Sequence, residues 1–200
     1  KHLYIADGHH RIGAMQHIKK INPLIERFMI AAFPSNECKI FDYNRVIKDL
    51  NGLSKDQFIK NLSNDFKVLK VDKAYKPLTK NQFGMYHDNQ WYILEFINSL
   101  TSNNFIDALD INILNQFCLT KMLNIKDVNN DERIRFIAGC HGLSALEKKV
   151  DENPDSVAFS IFPSKITDVI RVADNNLTMP PKSTWFDPKP LDGLVVYEFN

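Results

Sequence analysis

Segments with the apolar spacing of β-strands alternate along this chain with segments that have the apolar spacing of helices. This alternation restricts the fold more than any single motif does. Residues 66–71 alternate apolar with basic side chains, as a half-buried β-strand does, whereas residues 9–20 repeat apolar side chains at helical spacing. Phe83–His87 and Trp91–Phe96 flank Asp88-Asn89, a pair typical of a hairpin turn. The sequence therefore predicts a mixed α/β (α+β) fold, with a mixed or antiparallel sheet and flanking helices.

Further strands and helix starts follow from the same patterns. The other predicted strands are Leu3–Ala6, Arg27–Phe33, Lys39–Phe41, Arg133–Ala138, Val157–Phe162 and Gly193–Phe199. The predicted helix caps are Ser54 with Gln57, Asp110, Ser144 with Glu147, and Ser164. A chain of 200 residues holds one large domain or two small ones, and it is long enough to bury a core.

The charge balance limits the classes of partner. The chain has 25 Lys+Arg and 24 Asp+Glu, for a formal net charge of +1. Such a balance gives no general attraction to nucleic acids or acidic membranes. The longest apolar run, Phe28–Phe33, is far shorter than the roughly 20 residues of a membrane-spanning helix. We therefore expect neither a nucleic-acid nor a membrane partner, and any anion site must be built locally.

The cysteines indicate the cellular compartment. Cys38, Cys118 and Cys140 are odd in number and far apart, and no CxxC pair occurs. This spacing supports neither a disulfide framework nor a structural zinc site. We therefore expect a reducing compartment and a cytoplasmic protein.

The segment from Asp7 to Arg11 is the main candidate for a binding site. The predicted first strand ends at Asp7-Gly8, and a helix follows at once with His9, His10 and Arg11. Free backbone N–H groups and the helix dipole favour an anion at such a start, above all a phosphate. Gly8 allows close approach of the backbone, and Arg11 can bind phosphate oxygens with two parallel hydrogen bonds. Asp7 can hold a magnesium ion or accept a proton.

Two other interpretations of this segment remain open from the residues alone. In the first, Asp7 caps the helix, and the histidines and Arg11 are surface residues of its first turn. In the second, Asp7, His9 and His10 bind a transition metal. Neighbouring residues of a helix point about 100° apart, so two adjacent histidines seldom bind one ion. We therefore predict no dedicated metal site.

The same segment resembles a known family. The run ADGHHR, followed by Ala14, resembles a signature of the DUF1015 family. Gly8, Arg11 and Ala14 are also similar to the G-x-x-R-x-x-A helix start of the ParB/sulfiredoxin-like superfamily, in which this loop contacts nucleotide phosphates. The resemblance implies ATP or ADP with Mg²⁺ as the cofactor. Positions 9 and 10 lack the thiol that sulfiredoxin chemistry needs, and no helix-turn-helix follows that would indicate a DNA-binding partition protein.

Asp42–Leu50 also resembles the family. Asn44 stands where other members tend to have histidine, and an amide can donate and accept hydrogen bonds but cannot act as a base. Arg45 is a candidate for a second phosphate contact, with a solvated arginine as the alternative. This departure from the family pattern disfavours an acid–base role at position 44.

The segment Met179–Pro190 carries the most specific resemblance to the family. Its four prolines predict a stiff loop without regular structure. Lys182, Ser183 and Thr184 are candidates for phosphate or nucleotide binding, because stiff loops with polar groups beside aromatic residues are common in binding sites. The alternative is a loop that covers the core with the side chains of Trp185 and Phe186. We expect the loop to pack beside the helix start of Asp7–Arg11.

Gly139–Gly142 contains adjacent Cys140 and His141. Neighbouring residues of a strand point to opposite faces, so a catalytic Cys–His pair is disfavoured here. We predict a tight turn from a strand into the helix that begins at Ser144.

The resemblance also implies a domain organisation. Residues 1–50 are expected to form the C-terminal part of a ParB/sulfiredoxin-like nucleotide-binding unit, and residues 51–200 an α/β region specific to DUF1015. The chain opens without an initiator methionine and directly on a predicted strand. We therefore expect it to be the C-terminal half of a longer protein.

Together these features predict a nucleotide-dependent phosphotransferase that acts on a small hydroxylated metabolite. The superfamily includes kinases of free serine, so the resemblance implies serine as the first acceptor to consider. The predicted catalytic residues are Asp7 and His9. The predicted phosphate- or nucleotide-binding residues are Gly8, His10, Arg11, Arg45, Lys182, Ser183 and Thr184. The alternative is a nucleotide-binding sensor or regulatory protein without catalysis, and the sequence leaves the oligomeric state open.

Overall fold

The computed structural model describes residues 2–100, 104–191 and 193–198. Internal packing divides the chain into two compact units. Unit 1 comprises residues 1–39 and 186–200, and unit 2 comprises residues 40–185. The predicted boundary near residue 50 separates a ParB/sulfiredoxin-like unit from a DUF1015-specific region, and it stays a prediction.

Unit 2 is built on a six-stranded sheet in which every neighbouring pair is antiparallel. Its strands are β2 (Tyr43–Ile47), β3 (Phe66–Val71), β4 (Gln82–His87), β5 (Gln90–Phe96), β6 (Ile134–Ala138) and β7 (Val157–Ile161). Their order across the sheet is β3-β5-β4-β7-β2-β6. The predicted antiparallel alternative of the mixed α/β fold is therefore confirmed.

Helices cover both faces of this sheet, because alternate residues of each strand point to opposite sides. The helical elements of unit 2 are α2 (Lys55–Leu62), α3 (Asp110–Leu114) with the π-helical segment Asn115–Thr120, α4 (Ser144–Asp151) and α5 (Ile166–Asp174). Ile47 and Phe159 belong to the larger core, which also receives α2 and α3. Their neighbours Val46 and Ala158 face a second, smaller core with α4. A sheet buried on both faces gives unit 2 a rigid base for side chains at its strand ends.

The described part of unit 1 contains one helix, α1 (His9–Ile21), as the helical spacing predicted. Two short strands, β1 (Lys39–Phe41) and β8 (Trp185–Asp187), lie where the chain passes from one unit to the other. Among the described residues, no helix has both the length and the apolar character needed to cross a membrane.

Two predicted strands of unit 1 are wrong. Leu3–Ala6 and Arg27–Phe33 are irregular, and most of their apolar side chains are exposed, with Leu3 75% and Ile30 55% accessible. A β-strand forms where a neighbouring strand completes its backbone hydrogen bonds. Neither segment pairs with another strand within the described part of unit 1. Apolar content alone therefore gave the wrong element.

Three of the four predicted helix caps are also wrong. Ser54 and Gln57 form the predicted capping box. Asp110 and Ser144 are instead the first residues inside their helices, and Ser164 precedes the N-cap of α5. Two of these side chains bond to distant parts of the chain instead. The Asp110 carboxylate accepts the N–H of Asn81, and the Ser164 hydroxyl donates to the carbonyl of Ser183. Local capping signals were overridden by long-range hydrogen bonds.

The C-terminal predictions also need correction. Residues 193–198 form no strand, and Phe199, the last residue of the strand predicted there, lies outside the described residues. The loop Met179–Pro190 is not entirely irregular, because β8 interrupts it. The prolines of this loop lie on both sides of β8 and leave its three residues able to donate backbone hydrogen bonds.

Candidate functional site

The start of α1 in unit 1 keeps its backbone available to an approaching group. Gly8 is the N-cap and has φ 82°, a left-handed conformation that glycine adopts without strain. Gly8 has no side chain with which to cap the first-turn amides. The Asp7 carboxylate accepts a hydrogen bond of 2.8 Å from the N–H of Gly8 itself. Asp7 therefore lies one residue before the cap position and orders the turn into the helix.

Asp7 forms an ion pair with Lys189, which reaches it from the other segment of unit 1. The hydrogen bond from Lys189 lowers the pKa of the Asp7 carboxyl below its ordinary value. Partial burial opposes this shift, while the Gly8 N–H and the charges of Lys189 and Arg11 add to it. The structure thus brings Asp7, Gly8, Arg11 and Lys189 together at one helix start.

The remaining predicted residues of this segment are accessible. His9 and His10 are the first two residues of α1, and both are exposed, as is Arg11. Throughout the described ranges, no three His, Cys, Asp or Glu side chains are grouped so that they could hold a metal ion. The start of α1 therefore combines helix N–H groups, the cations Arg11 and Lys189, and the carboxylate of Asp7, which is paired with Lys189.

Lys189 was not predicted from the sequence. Lys182 was the predicted cation of the proline-rich segment, although Lys189 belongs to the same segment. The run Asp187-Pro188-Lys189-Pro190 holds Lys189 between two prolines, which restrict the backbone on both sides. This stiffness is the signal that could have identified Lys189.

Unit 2 holds a second group of predicted residues around Arg45 of β2. The Arg45 side chain is fully buried, and its guanidinium donates to the carbonyl of Tyr43 at 2.7 Å. A longer contact of 3.5 Å reaches the carbonyl of Lys182. Ser183 is buried beside this arginine, and Thr184 is half-buried. The structure therefore brings together three of the predicted binding residues of unit 2: Arg45, Lys182 and Ser183.

Asn44 has a structural role that its position in the family signature did not reveal. Its amide nitrogen donates to the Asp42 carboxylate at 2.6 Å, and its amide oxygen accepts the Ile161 N–H at 3.0 Å. Asp42 is buried and also receives the ammonium of Lys76 at 2.6 Å. The Asn44 side chain thus links β2 to Ile161 of β7 through its oxygen, while its nitrogen holds Asp42.

An aromatic cleft of about 380 Å³ opens at the edge of unit 2. Tyr43, Phe136 and Trp185 line it, and the ring of Tyr43 meets the other two edge-on at centroid distances of 5.8 and 5.6 Å. The ammonium of Lys182 lies 5.7 Å from the centre of the Tyr43 ring, within range of a cation–π interaction.

Basic residues border this aromatic cleft. His141, Lys148 and Lys149 line it alongside the aromatic rings. Gly139–His141 is a 3₁₀ turn before α4, as predicted, and Cys140 is exposed. Such a cleft can stack a planar ring and attract an anion.

The buried carboxyl of Asp110 makes the stability of unit 2 depend on pH. Burial raises the pKa of Asp110 to about 6, although the hydrogen bond from the N–H of Asn81 opposes the shift. The folded state therefore keeps the proton up to a higher pH than the unfolded chain, whose ordinary pKa is 3.8. Stability that is present below about pH 4 is lost as the pH rises through about 6.

We expect Asp110→Asn to remove this loss, because an amide oxygen still accepts the N–H of Asn81 without being charged. The difference in the free energy of unfolding between the variant and the wild type should be larger at pH 7.5 than at pH 4, by up to about 3 kcal/mol in favour of the variant. Urea unfolding of both proteins at the two pH values measures the difference. The exposed Asp155→Asn is the control, and an equal gain for Asp110→Asn at both pH values would contradict the expectation.

The fold is similar to solved structures of free serine kinase. The similar structures include a variant in complex with AMP (TM-score 0.51, 16% identity), a variant in complex with ADP (TM-score 0.51, 16% identity) and free serine kinase in complex with AMP (TM-score 0.50, 14% identity). Each match covers 91% of this chain but 66% of the other, so the chain spans slightly less than two thirds of their length. At this identity the likeness establishes the fold.

A comparison with curated proteins gives no match. The model of DUF1015, described as a protein of unknown function, matches residues 1–112. This span is more than half of the chain, and it contains both the ADGHHR segment and Asp42–Leu50. On this evidence the chain belongs to the DUF1015 family.

Proposed function

We propose that the protein is a nucleotide-dependent phosphotransferase that acts on a small hydroxylated metabolite, with free serine as the first acceptor to test. The observation that carries the proposal is the start of α1, where Gly8, Asp7, Arg11 and Lys189 meet. The similar fold of free serine kinase, solved with AMP and with ADP, supports the same chemistry. The residues present fit a nucleotide phosphate, since the helix start offers backbone amides and two cations.

In the proposed reaction, the acceptor hydroxyl oxygen attacks the terminal phosphorus of ATP or ADP. A new O–P bond forms, the bond to the departing nucleotide oxygen breaks, and the hydroxyl proton passes to a base. Catalysis of this kind rests mainly on positioning and on stabilising negative charge. The amides after Gly8, with His10 and Arg11, would bind the phosphate oxygens.

Asp7 and His9 have different parts in this proposal. The lowered pKa of Asp7 makes its carboxylate a weak proton acceptor. Asp7 instead positions Lys189 and would hold Mg²⁺, an ion that neutralises phosphate charge when bound. His9, the first residue of α1 and exposed, is then the proton acceptor of the described segment.

The unit 2 residues Arg45, Lys182, Ser183 and Thr184 remain proposed contacts of the nucleotide. They belong to a different unit from the start of α1. If the proline-rich loop packs beside the start of α1, Lys182 should lie within about 10 Å of Arg11, a distance over which charges still interact at physiological salt. Cross-linking of cysteines introduced at these two positions would test it.

The test is a phosphotransfer assay on the whole protein with ATP or ADP, Mg²⁺ and a panel of hydroxylated metabolites that includes serine. We expect a phosphorylated acceptor and an equal amount of ADP or AMP, both measured by ³¹P NMR. A reaction without acceptor is the control for hydrolysis. If no acceptor on the panel is phosphorylated, phosphotransfer is contradicted.

One observation favours a second function, nucleotide sensing without catalysis. Lys189 occupies the Asp7 carboxylate, so this side chain is already partnered before any ligand binds. A sensor would bind ATP or ADP at the start of α1 and transfer no phosphate. Nucleotide binding in calorimetry, together with an unchanged ³¹P spectrum, would identify this function.

A further inference from the structure

The aromatic cleft of unit 2 lies across the open edge of β6. This strand is the last of the six-stranded sheet, and within the described chain it pairs only with β2. Phe136 packs against the larger core and its neighbour Ile137 against the smaller one, because successive residues of a strand point to opposite faces. Both residues nevertheless line the cleft. A cleft that reaches both faces of an outer strand must pass over the backbone at its edge.

The backbone groups at this edge belong to Phe136 and Ala138. Gly139, which follows the strand, donates its N–H to the carbonyl of Asp42 on the opposite strand at 2.8 Å. Hydrogen-bonded and non-bonded pairs of residues alternate along an antiparallel ladder. Counted back from Gly139, Ile137 therefore bonds to β2, whereas Ala138 and Phe136 direct their N–H and C=O groups away from it. These groups can pair with a further strand.

The two sides of the cleft differ in chemistry. One side carries the rings of Tyr43, Phe136 and Trp185, which meet edge-on. On the other side, α4 packs against the smaller core and contributes the exposed side chains of Lys148 and Lys149. The edge of β6 thus separates an aromatic side from a basic side.

The charges at the cleft favour an acidic partner. None of the described residues that line it is acidic. Arg135, two positions before Ile137, lies on the same face as α4 and is exposed. Lys149 is paired with Glu152 at 2.6 Å, whereas Lys148 forms no ion pair among the described residues. A second copy of this chain would bring the same cations together across the edge, so charge complementarity disfavours a dimer and favours acidic side chains.

We propose that β6 binds an extended acidic segment of a partner protein as an added antiparallel strand. Alternate side chains of this segment then fall on the two sides of the cleft. Its apolar or aromatic residues contact the rings of Tyr43, Phe136 and Trp185, and its acidic residues contact Lys148 and Lys149. Backbone hydrogen bonds give such binding its affinity, and the alternation gives it specificity. The proposal does not depend on phosphotransfer at the start of α1.

The first test uses a short peptide, blocked at both ends, in which glutamates alternate with valines and a central phenylalanine. In the added strand, the residue opposite Phe136 shares its face of the sheet and exchanges both backbone hydrogen bonds with it. The N–H groups of the apolar residues therefore point toward β6, and those of the glutamates point away. Calorimetry on the whole protein should show that N-methylation of the apolar residues weakens binding by about tenfold or more. N-methylation of the glutamates should change it by less than about threefold.

A charge reversal on the protein tests the basic side. Lys148→Glu should weaken binding of the unmethylated peptide by about 5- to 10-fold, because an attraction becomes a repulsion. Lys70→Glu is the matched control, since Lys70 is an exposed lysine of β3, the outer strand at the other end of the sheet. This variant should bind the peptide as the wild type does. The amide of Phe136 should also gain protection from hydrogen exchange when the peptide is bound.

Several outcomes would overturn the proposal. Equal binding of the two methylated peptides means that the backbone of β6 takes no part. Equal losses for Lys148→Glu and Lys70→Glu mean that the peptide responds only to overall charge. Displacement of the peptide by AMP or ADP assigns the cleft to a nucleotide, and a dimer in sedimentation that excludes the peptide assigns the edge to a second copy. Because no measurement follows phosphate transfer, a failure to bind the peptide leaves the proposed function untouched.

Discussion

Arg11→Ala should lower the rate of phosphate transfer by about 100-fold or more, while the unfolding midpoint changes little. A cation that binds the transferring phosphate stabilises the charge of the transition state, and removal of one such donor costs about 10² to 10³ in rate. Arg11 lies in the first turn of α1, is exposed, and acts electrostatically on Asp7. Initial rates with ATP or ADP and serine, with circular dichroism of each variant, measure the effect.

Two variants separate the role of Arg11 from a general effect of charge. Arg27→Ala removes an exposed arginine of unit 1 outside α1 and should leave the rate unchanged. Arg11→Lys keeps the charge but loses the two parallel hydrogen bonds, so an intermediate rate is expected. If Arg11→Ala keeps the rate within about threefold of the Arg27→Ala control, the first turn of α1 does not bind the phosphate.

Gly84→Ala should destabilise unit 2 by about 3 kcal/mol, the upper end of the usual effect of overpacking. Gly84 lies in β4, between β5 and β7. An added Cβ would overlap both the Ser160 hydroxyl oxygen and the Tyr75 carbonyl oxygen, and it would lie 3.2 Å from the Trp91 ring. The Ser160 hydroxyl donates to that carbonyl at 2.8 Å, so a methyl group must break this bond or move the backbone.

The matched control is Gly13→Ala in α1. No atom lies within 4 Å of a Cβ added there, and alanine in a helix is more stable than glycine by about 0.5–1 kcal/mol. Denaturant unfolding of the two variants should therefore give effects of opposite sign. A loss below about 1 kcal/mol for Gly84→Ala would show that β4 and β7 separate easily, contrary to the close packing described.

The core of unit 2 could be predicted from the sequence because its signals are local. The hairpin turn Asp88-Asn89 has φ 49° and 55°, values that asparagine and aspartate tolerate better than other residues. The alternation in Phe66–Val71 and the capping box of Ser54 act within a few residues, and both gave correct elements.

Long-range pairing could not be predicted in the same way. Leu3–Ala6 and Arg27–Phe33 have the composition of strands, but a strand also needs a neighbour, which composition does not encode. The aromatic cleft depends on the same kind of information. Tyr43 and Phe136 are far apart in the chain and meet because β2 and β6 pair with Arg45 opposite Phe136.

The two candidate sites were predicted to different degrees. The helix predicted after Asp7-Gly8 begins at His9 as expected, but its N-cap is Gly8 and not Asp7, and the strand predicted before it is absent. Its partner Lys189 comes from residues about 180 positions later, which no local pattern connects to Asp7. The burial of Arg45 was likewise missed, because arginine is mostly exposed in folded proteins and the sequence gave no reason for an exception.

The place of β7 in the sheet sets the order in which unit 2 can assemble on the ribosome. β2 pairs with β6 and β7, which are made roughly 90 residues or more after it, whereas β3, β4 and β5 are close in the chain. Because the ribosome adds about 5–20 residues per second, both edges of β2 stay unpaired for several seconds after it is synthesised. One edge of β2 therefore has no partner strand until β6 is made, and the other stays open until Ile161 emerges, which leaves its backbone N–H and C=O groups open to pairing with other chains during synthesis.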